Sequence, residues 1–117
     1  MRTLLIATAT ALALVQPAVQ AAGDAEAGEA KSAPCAACHG PDGKSPTTPA
    51  FPILAGQYAN YLVRALEDYK TGKRKNPIMA GLASTLTEQD REDLAAYYAS
   101  QKSDLYTLEY AEELTSQ

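Results

Sequence analysis

The chain predicts a small all-α domain, and three features of the sequence carry that expectation. Two segments place apolar side chains at the 3.6-residue period, over residues 57–71 and after Thr87. Helix-terminus signals bound them, with Gly72 after the first and Thr87 as N-cap of the second. No run alternates apolar and polar residues as a half-buried strand would.

The chain opens with Arg2 and the apolar run Leu4–Val15, then Pro17 and the small residues of Val19–Ala21. This pattern reads as a secretory signal peptide over residues 1–21, cleaved after Ala21 or Ala22. A membrane anchor would need roughly 17 to 25 apolar residues. Removal of residues 1–21 takes away Arg2 and leaves 9 basic against 14 acidic side chains, a formal charge of −5. So acidic a chain has no broad basic face for nucleic-acid phosphates. The remaining 96 residues are enough for one domain.

The first element of that domain is a short helix over residues 24–33, with Asp24 as N-cap and Glu26 in the first turn. Gly28 within it costs about 1 kcal/mol relative to alanine. Either a neighbouring helix crosses closely there or the helix frays. Residues 40–56 read as an irregular segment, since Pro41, Pro46, Pro49 and Pro52 exclude a continuous helix or central strand. Phe51, Ile53 and Leu54 imply that its second half packs on something apolar.

The clearest helix covers residues 57–71. Tyr58, Tyr61, Leu62, Ala65, Leu66 and Tyr69 form one stripe, and Gly72 suits the C′ position. Lys70 complements the dipole at its end, while Lys73, Arg74 and Lys75 form a basic cluster that is either a docking surface or simply solvated. The last strong helix starts at Thr87, with Asp90 completing a near capping box, and runs to Lys102 with Leu94, Tyr97, Tyr98 and Gln101 on one side. Residues 103–117 are an acidic extension that reads equally as a further short helix or a tail.

Both cysteines and the only histidine fall in the five residues Cys35–His39. A redox dithiol would need a βαβ setting, which the pattern lacks. Zinc would need a fourth ligand, and three adjacent ligands in one turn cannot surround a tetrahedral ion. A disulfide across two residues closes too small a loop to constrain the unfolded chain, and leaves His39 unexplained. The order C-x-x-C-H is the attachment signature of c-type haem: thioethers from Cys35 and Cys38, and His39 as an axial ligand of the iron. With Met1 lost in the signal, Met79 is the one remaining methionine and the candidate second axial ligand. Phe51, Ile53, Leu54, Leu62, Leu66 and Leu82 are candidate walls for the cofactor.

From about Gly23 to Lys102 the chain resembles the class I c-type cytochromes, in particular one half of the two-haem cytochrome c4 proteins. The segments "GDAEAGEAKSAPCAACHGPDG", "FPILAGQYANYL", "KRKNPIMAGL" and "LTEQDREDLAAYYASQ" carry the likeness. The resemblance implies the class I cytochrome c fold over residues 22–102, wrapped round one covalent haem. It also implies a crossing of Gly28 against Tyr97, and a hydrogen bond from His39 to the carbonyl of Pro52. The second haem domain of cytochrome c4 has no counterpart here, and residues 103–117 lie outside the likeness.

The expected function is one-electron transfer in the periplasm between redox partner proteins, rather than enzymatic turnover. His/Met ligation fills all six iron positions, and a thioether ligand favours the ferrous state. Two alternatives carry the same cofactor. One is a haem subunit of a larger dehydrogenase or oxidase, docked through the acidic extension. The other is a haem enzyme or sensor in which Met79 leaves the iron.

Overall fold

The computed structural model describes residues 22–105, so the signal-peptide reading of residues 1–21 and residues 106–117 of the extension lie outside the described residues. Five α-helices make up the described chain, which contains no strand: α1 (Ala25–Lys31), α2 (Ala33–His39), α3 (Ala59–Lys70), α4 (Pro77–Ser84) and α5 (Glu88–Ser100). The all-α expectation holds. The first and last helices cross, α3 packs on α5, and α4 packs on α3.

Asp24 caps α1 as its sequence predicts, accepting hydrogen bonds from the backbone N–H groups of Glu26 (2.8 Å) and Ala27 (3.1 Å). Gly28 does not fray. A β-carbon there would stand 2.0 Å from the Asp93 carbonyl oxygen and 2.8 Å from Tyr97 Cβ, so only glycine permits this approach of α1 to α5. The crossing is also ionic. Lys31 reaches Asp93 at 2.6 Å and Asp90 at 2.8 Å, while Asp93 accepts the backbone N–H of Asp24 at 2.9 Å.

Two boundaries differ from the sequence expectation. The single helix expected over residues 24–33 ends at Lys31, and after Ser32 the chain enters α2, which contains the whole cysteine–histidine motif. Ser32 directs its hydroxyl back to the Glu29 carbonyl (2.8 Å), the side-chain-to-backbone bond by which serine ends a helix. Within "NPIMAGLAST", to which the sequence reading assigns no element, lies the helix α4. Asn76 caps it, accepting from Ile78 N–H (3.0 Å) and Met79 N–H (3.1 Å), with Pro77 at its first position.

The α5 start follows the sequence closely: the Thr87 and Asp90 side chains each bond the other's backbone N–H, closing the capping box. The expected single apolar side of α5 is too narrow. Asp93 and Tyr97 face α1 at the Gly28 crossing, while Leu94, Ala95 and Tyr98 line a cavity. Arg91 is buried too, paired with Glu67 of α3 at 2.8 Å and donating to the Leu86 carbonyl at 3.1 Å.

Lys70 has a more specific task than dipole complementarity: its ammonium donates to the Leu86 carbonyl, tying the end of α3 to the turn before α5. Gly72 takes the positive φ expected at C′.

Candidate cofactor site

The irregular segment between α2 and α3 is anchored at several points. Thr47 N–H bonds the Cys38 carbonyl (3.0 Å), and the Gly43 carbonyl accepts from both Leu54 N–H (2.7 Å) and Ala55 N–H (3.1 Å). Gly56 N–H bonds the Tyr98 carbonyl (2.9 Å), which fixes the segment's end to α5. Gly43 is required here twice over. Its φ is +71°, and a β-carbon would stand 2.6 Å from the Tyr98 ring.

This anchoring brings the Pro52 carbonyl to the histidine. The Nδ1–H of His39 donates to it at 2.8 Å, and His39 is 5 % exposed. A carbonyl can only accept, so Nδ1 carries the proton and Nε2 is left with a free lone pair, the form in which imidazole binds a metal. Phe51 lies beside the same ring, with centroids 6.1 Å apart and planes tilted by 59°.

Cys35, Cys38, His39 and Met79 all line one cavity of about 580 Å³. Its volume falls within the range of pockets that take organic cofactors. Every wall residue expected from the sequence is present: Phe51, Ile53 and Leu54 from the anchored segment, Leu62 and Leu66 from α3, and Leu82 from α4. Of the α3 stripe, Tyr61, Leu62, Ala65, Leu66 and Tyr69 line the cavity, whereas Tyr58 is 58 % exposed and does not.

No disulfide joins Cys35 and Cys38. Burial pushes the Cys35 thiol above its ordinary pKa, with partial relief from the Tyr98 hydroxyl. Arg74, from the basic cluster, is exposed and lies at the site's rim. Its guanidinium donates to the Tyr61 hydroxyl (3.2 Å) and lies 5.0 Å from the centre of the Tyr69 ring.

Sequence reasoning missed Asn76 and Tyr98. The Asn-Pro pair ahead of Met79 is a capping signal that could have found the first of them. The sequence places Tyr98 only on one side of the last helix; in the structure it is 3 % exposed and lies on the cavity wall.

The donor set fits a haem. Two cysteine sulfurs three positions apart, one imidazole nitrogen and one thioether sulfur meet at a mainly apolar chamber. The residues that would hold the group are Cys35 and Cys38 covalently, with His39 and Met79 toward the metal.

Comparison with known proteins agrees with this chemistry. The family model described as "Cytochrome c" matches residues 25–102. Cytochrome c4 of Pseudomonas aeruginosa is 57 % identical over 82 residues, which cover 70 % of this chain and 40 % of that protein. Cytochrome c-554(548) of Halomonas halodenitrificans is 45 % identical over 84 residues, 69 % of this chain and 100 % of that one. The crystal structure of reduced recombinant cytochrome c4 from Pseudomonas stutzeri superposes with a TM-score of 0.67 at 47 % identity, over 72 % of this chain and 48 % of that one. The chain thus spans less than half the length of these cytochrome c4 proteins. It has the class I cytochrome c fold, and its cofactor is covalently bound haem c with iron. The chain belongs to the cytochrome c family.

Proposed function

We propose that this chain is a periplasmic one-electron carrier in which Cys35 and Cys38 form the haem thioethers and His39 and Met79 are the axial ligands. The observation that carries this reading is the convergence of all four side chains on one cavity, with Nδ1 of His39 occupied by the Pro52 carbonyl. Haem iron supplies the chemistry when bound, a one-electron exchange between ferric and ferrous states.

The protein's part is to hold the ligands still. Pro52 fixes the tautomer and orientation of His39, a contact that also raises the imidazole's basicity. Asn76 fixes the start of α4 and hence the backbone position of Met79. The neutral sulfur of Met79 favours the ferrous state and sets a high potential. With His39 and Met79 both committed to the iron, the residues would leave no coordination site for a substrate, and carriage of an electron between partner proteins would be the remaining role. Residues 1–21 act as the export signal that delivers the chain to the periplasm, where the cofactor is attached.

Optical spectroscopy of the purified oxidised protein tests the ligand set. The weak red-end absorbance band of ferric iron bonded to methionine sulfur is expected at neutral pH, and its loss is expected in Met79→Ala. Absence of that band in the parent protein would overturn His/Met ligation. The pyridine haemochrome of the same sample is expected to show one haem bound through two thioethers.

A further inference from the structure

Tyr98 is the buried polar group that neither the fold nor the ligand set accounts for. Its ring is clamped between Gly43, where a β-carbon would stand 2.6 Å away, and Tyr97, whose ring centroid lies 4.9 Å off. Its hydroxyl oxygen is shut off from solvent and closes no well-formed hydrogen bond within the protein. A hydroxyl buried without a partner is costly, so a position that keeps one calls for an acceptor. Cys35 packs against the buried cluster that contains Tyr98, and its sulfur and the Ser32 hydroxyl are the side-chain polar groups that interact with the Tyr98 hydroxyl.

Those two differ in where they lie. Ser32 gives its own proton to the Glu29 carbonyl at 2.8 Å, and its oxygen stays a competing acceptor for Tyr98. It does not line the cavity, however, whereas Tyr98 and Cys35 both do. A cysteine sulfur in a thioether carries no proton and can only accept. By contrast, the hydroxyl of neighbouring Tyr97 is already directed to the Pro41 carbonyl at 3.3 Å.

We propose that Tyr98 tunes the haem's reduction potential by donating its hydroxyl hydrogen bond to the Cys35 sulfur. The positive end of the O–H dipole then points at the sulfur through which the protein is joined to the macrocycle. In a site closed to water that dipole is weakly screened. It opposes the gain of positive charge on oxidation, so it favours the ferrous state and raises the potential, as hydrogen bonds to ligand sulfurs do elsewhere. Burial holds the Tyr98 hydroxyl well above its ordinary pKa, which keeps the donor protonated through the working pH range. The proposal rests on Cys35 being a haem thioether.

The test is spectroelectrochemical titration of the full-length holoprotein and its Tyr98→Phe variant, with thioether content read from the pyridine haemochrome of each. Two thioethers per haem in both samples keep the premise intact, and a single thioether through Cys38 would remove it separately from the tuning claim. Tyr98→Phe is expected to shift the one-electron equilibrium threefold to tenfold toward the ferric state, about 28 to 59 mV lower at 59 mV per tenfold. Tyr97→Phe is expected to shift it less than twofold. Ser32→Ala leaves the sulfur as the only acceptor and is expected to leave the potential unchanged or higher. An unchanged potential in Tyr98→Phe, or an equal fall in Ser32→Ala, would overturn the proposal. A measurement on the parent protein needs no variant: the redox-induced infrared difference spectrum is expected to contain a tyrosine C–O band, and its absence would also overturn the assignment.

Discussion

Gly28 of α1 lies against Tyr97 of α5 so closely that a β-carbon would stand 2.8 Å from Tyr97 Cβ and 2.0 Å from the Asp93 carbonyl oxygen. Contact with backbone cannot be relieved by a rotamer change, so the two helices would have to separate. Gly28→Ala is therefore expected to destabilise the holoprotein by about 1–3 kcal/mol, despite a helix-propensity gain of about 1 kcal/mol. The guanidinium midpoint is the measurement, and an unchanged midpoint would contradict so close a crossing.

The sequence made the two axial candidates and the attachment motif legible because each is a rare residue type at a diagnostic spacing. One histidine, two clustered cysteines and one methionine beyond the signal leave little choice. The wall residues were legible for a similar reason, since Leu62 and Leu66 fall on one helical face and Phe51, Ile53 and Leu54 stand out among prolines. What stayed hidden depends on tertiary contacts. The helix begun at Asp24 stops at Lys31, where Ser32 turns its hydroxyl back to Glu29 and Pro34 opens the first turn of α2. The proline is a local signal, but its use as the start of a second helix shows only in the fold. Helix α5 was misread as one-sided because it packs on α1 and on the cavity at once. Tyr98 could not be distinguished from Tyr97 by pattern; only the fold turns one hydroxyl to Pro41 and buries the other at the cavity wall without a partner.

Acid sensitivity is expected from the ionic part of the α1–α5 crossing. Chiefly through the Lys31 ammonium, and next through the Asp24 N–H and Gln89, the Asp93 carboxyl is held down to about 2. Lys31 likewise holds Asp90 below the usual carboxylate range. A depressed folded pKa means that stability is fully present above the unfolded value, about 3.9. It is lost as pH falls from there through the folded value. The holoprotein's thermal midpoint is expected to be steady from pH 7 to about 5 and to fall steeply toward pH 2. Asp93→Asn is expected to melt lower at pH 7 and to show a shallower acid slope. An identical slope in the variant would assign acid sensitivity to other groups.

Loss of the Asn76 cap is expected to act on the iron ligand before it acts on the fold. Its side chain accepts the N–H groups of Ile78 and of Met79 itself, so Asn76→Ala frees the first turn of α4. The cost is about 1 kcal/mol, concentrated at the turn that carries Met79. On heating, the red-end band of the oxidised variant is expected to vanish several degrees before the far-ultraviolet circular dichroism changes. Asn76→Asp retains a capping oxygen and is expected to restore the parent's behaviour. Coincident loss of both signals at the parent's temperature would separate the cap from the ligand.

The protein's own apolar core is small, and this sets the expected behaviour without cofactor attachment. Among the described residues the buried cluster consists of Leu62, Leu94, Ala95, Tyr97 and Tyr98, and Leu94 alone is a large side chain with under 2 % exposure. Phe51, Ile53, Leu54, Leu66 and Leu82 line the chamber of about 580 Å³, together with Leu62, Leu94, Ala95 and Tyr98 of that cluster. Their burial is completed by a cofactor rather than by one another. A domain this short buries too small a fraction of its surface to tolerate such a division of its apolar residues. Folding and attachment are thus coupled, much as metal binding folds small metal-dependent domains. The double variant Cys35→Ser, Cys38→Ser is expected to be largely unfolded at neutral pH, with weak helical circular dichroism and no cooperative melting transition. Native-like helicity with a sharp transition would show that the α1–α5 crossing and the Arg91–Glu67 ion pair hold the chain together unaided.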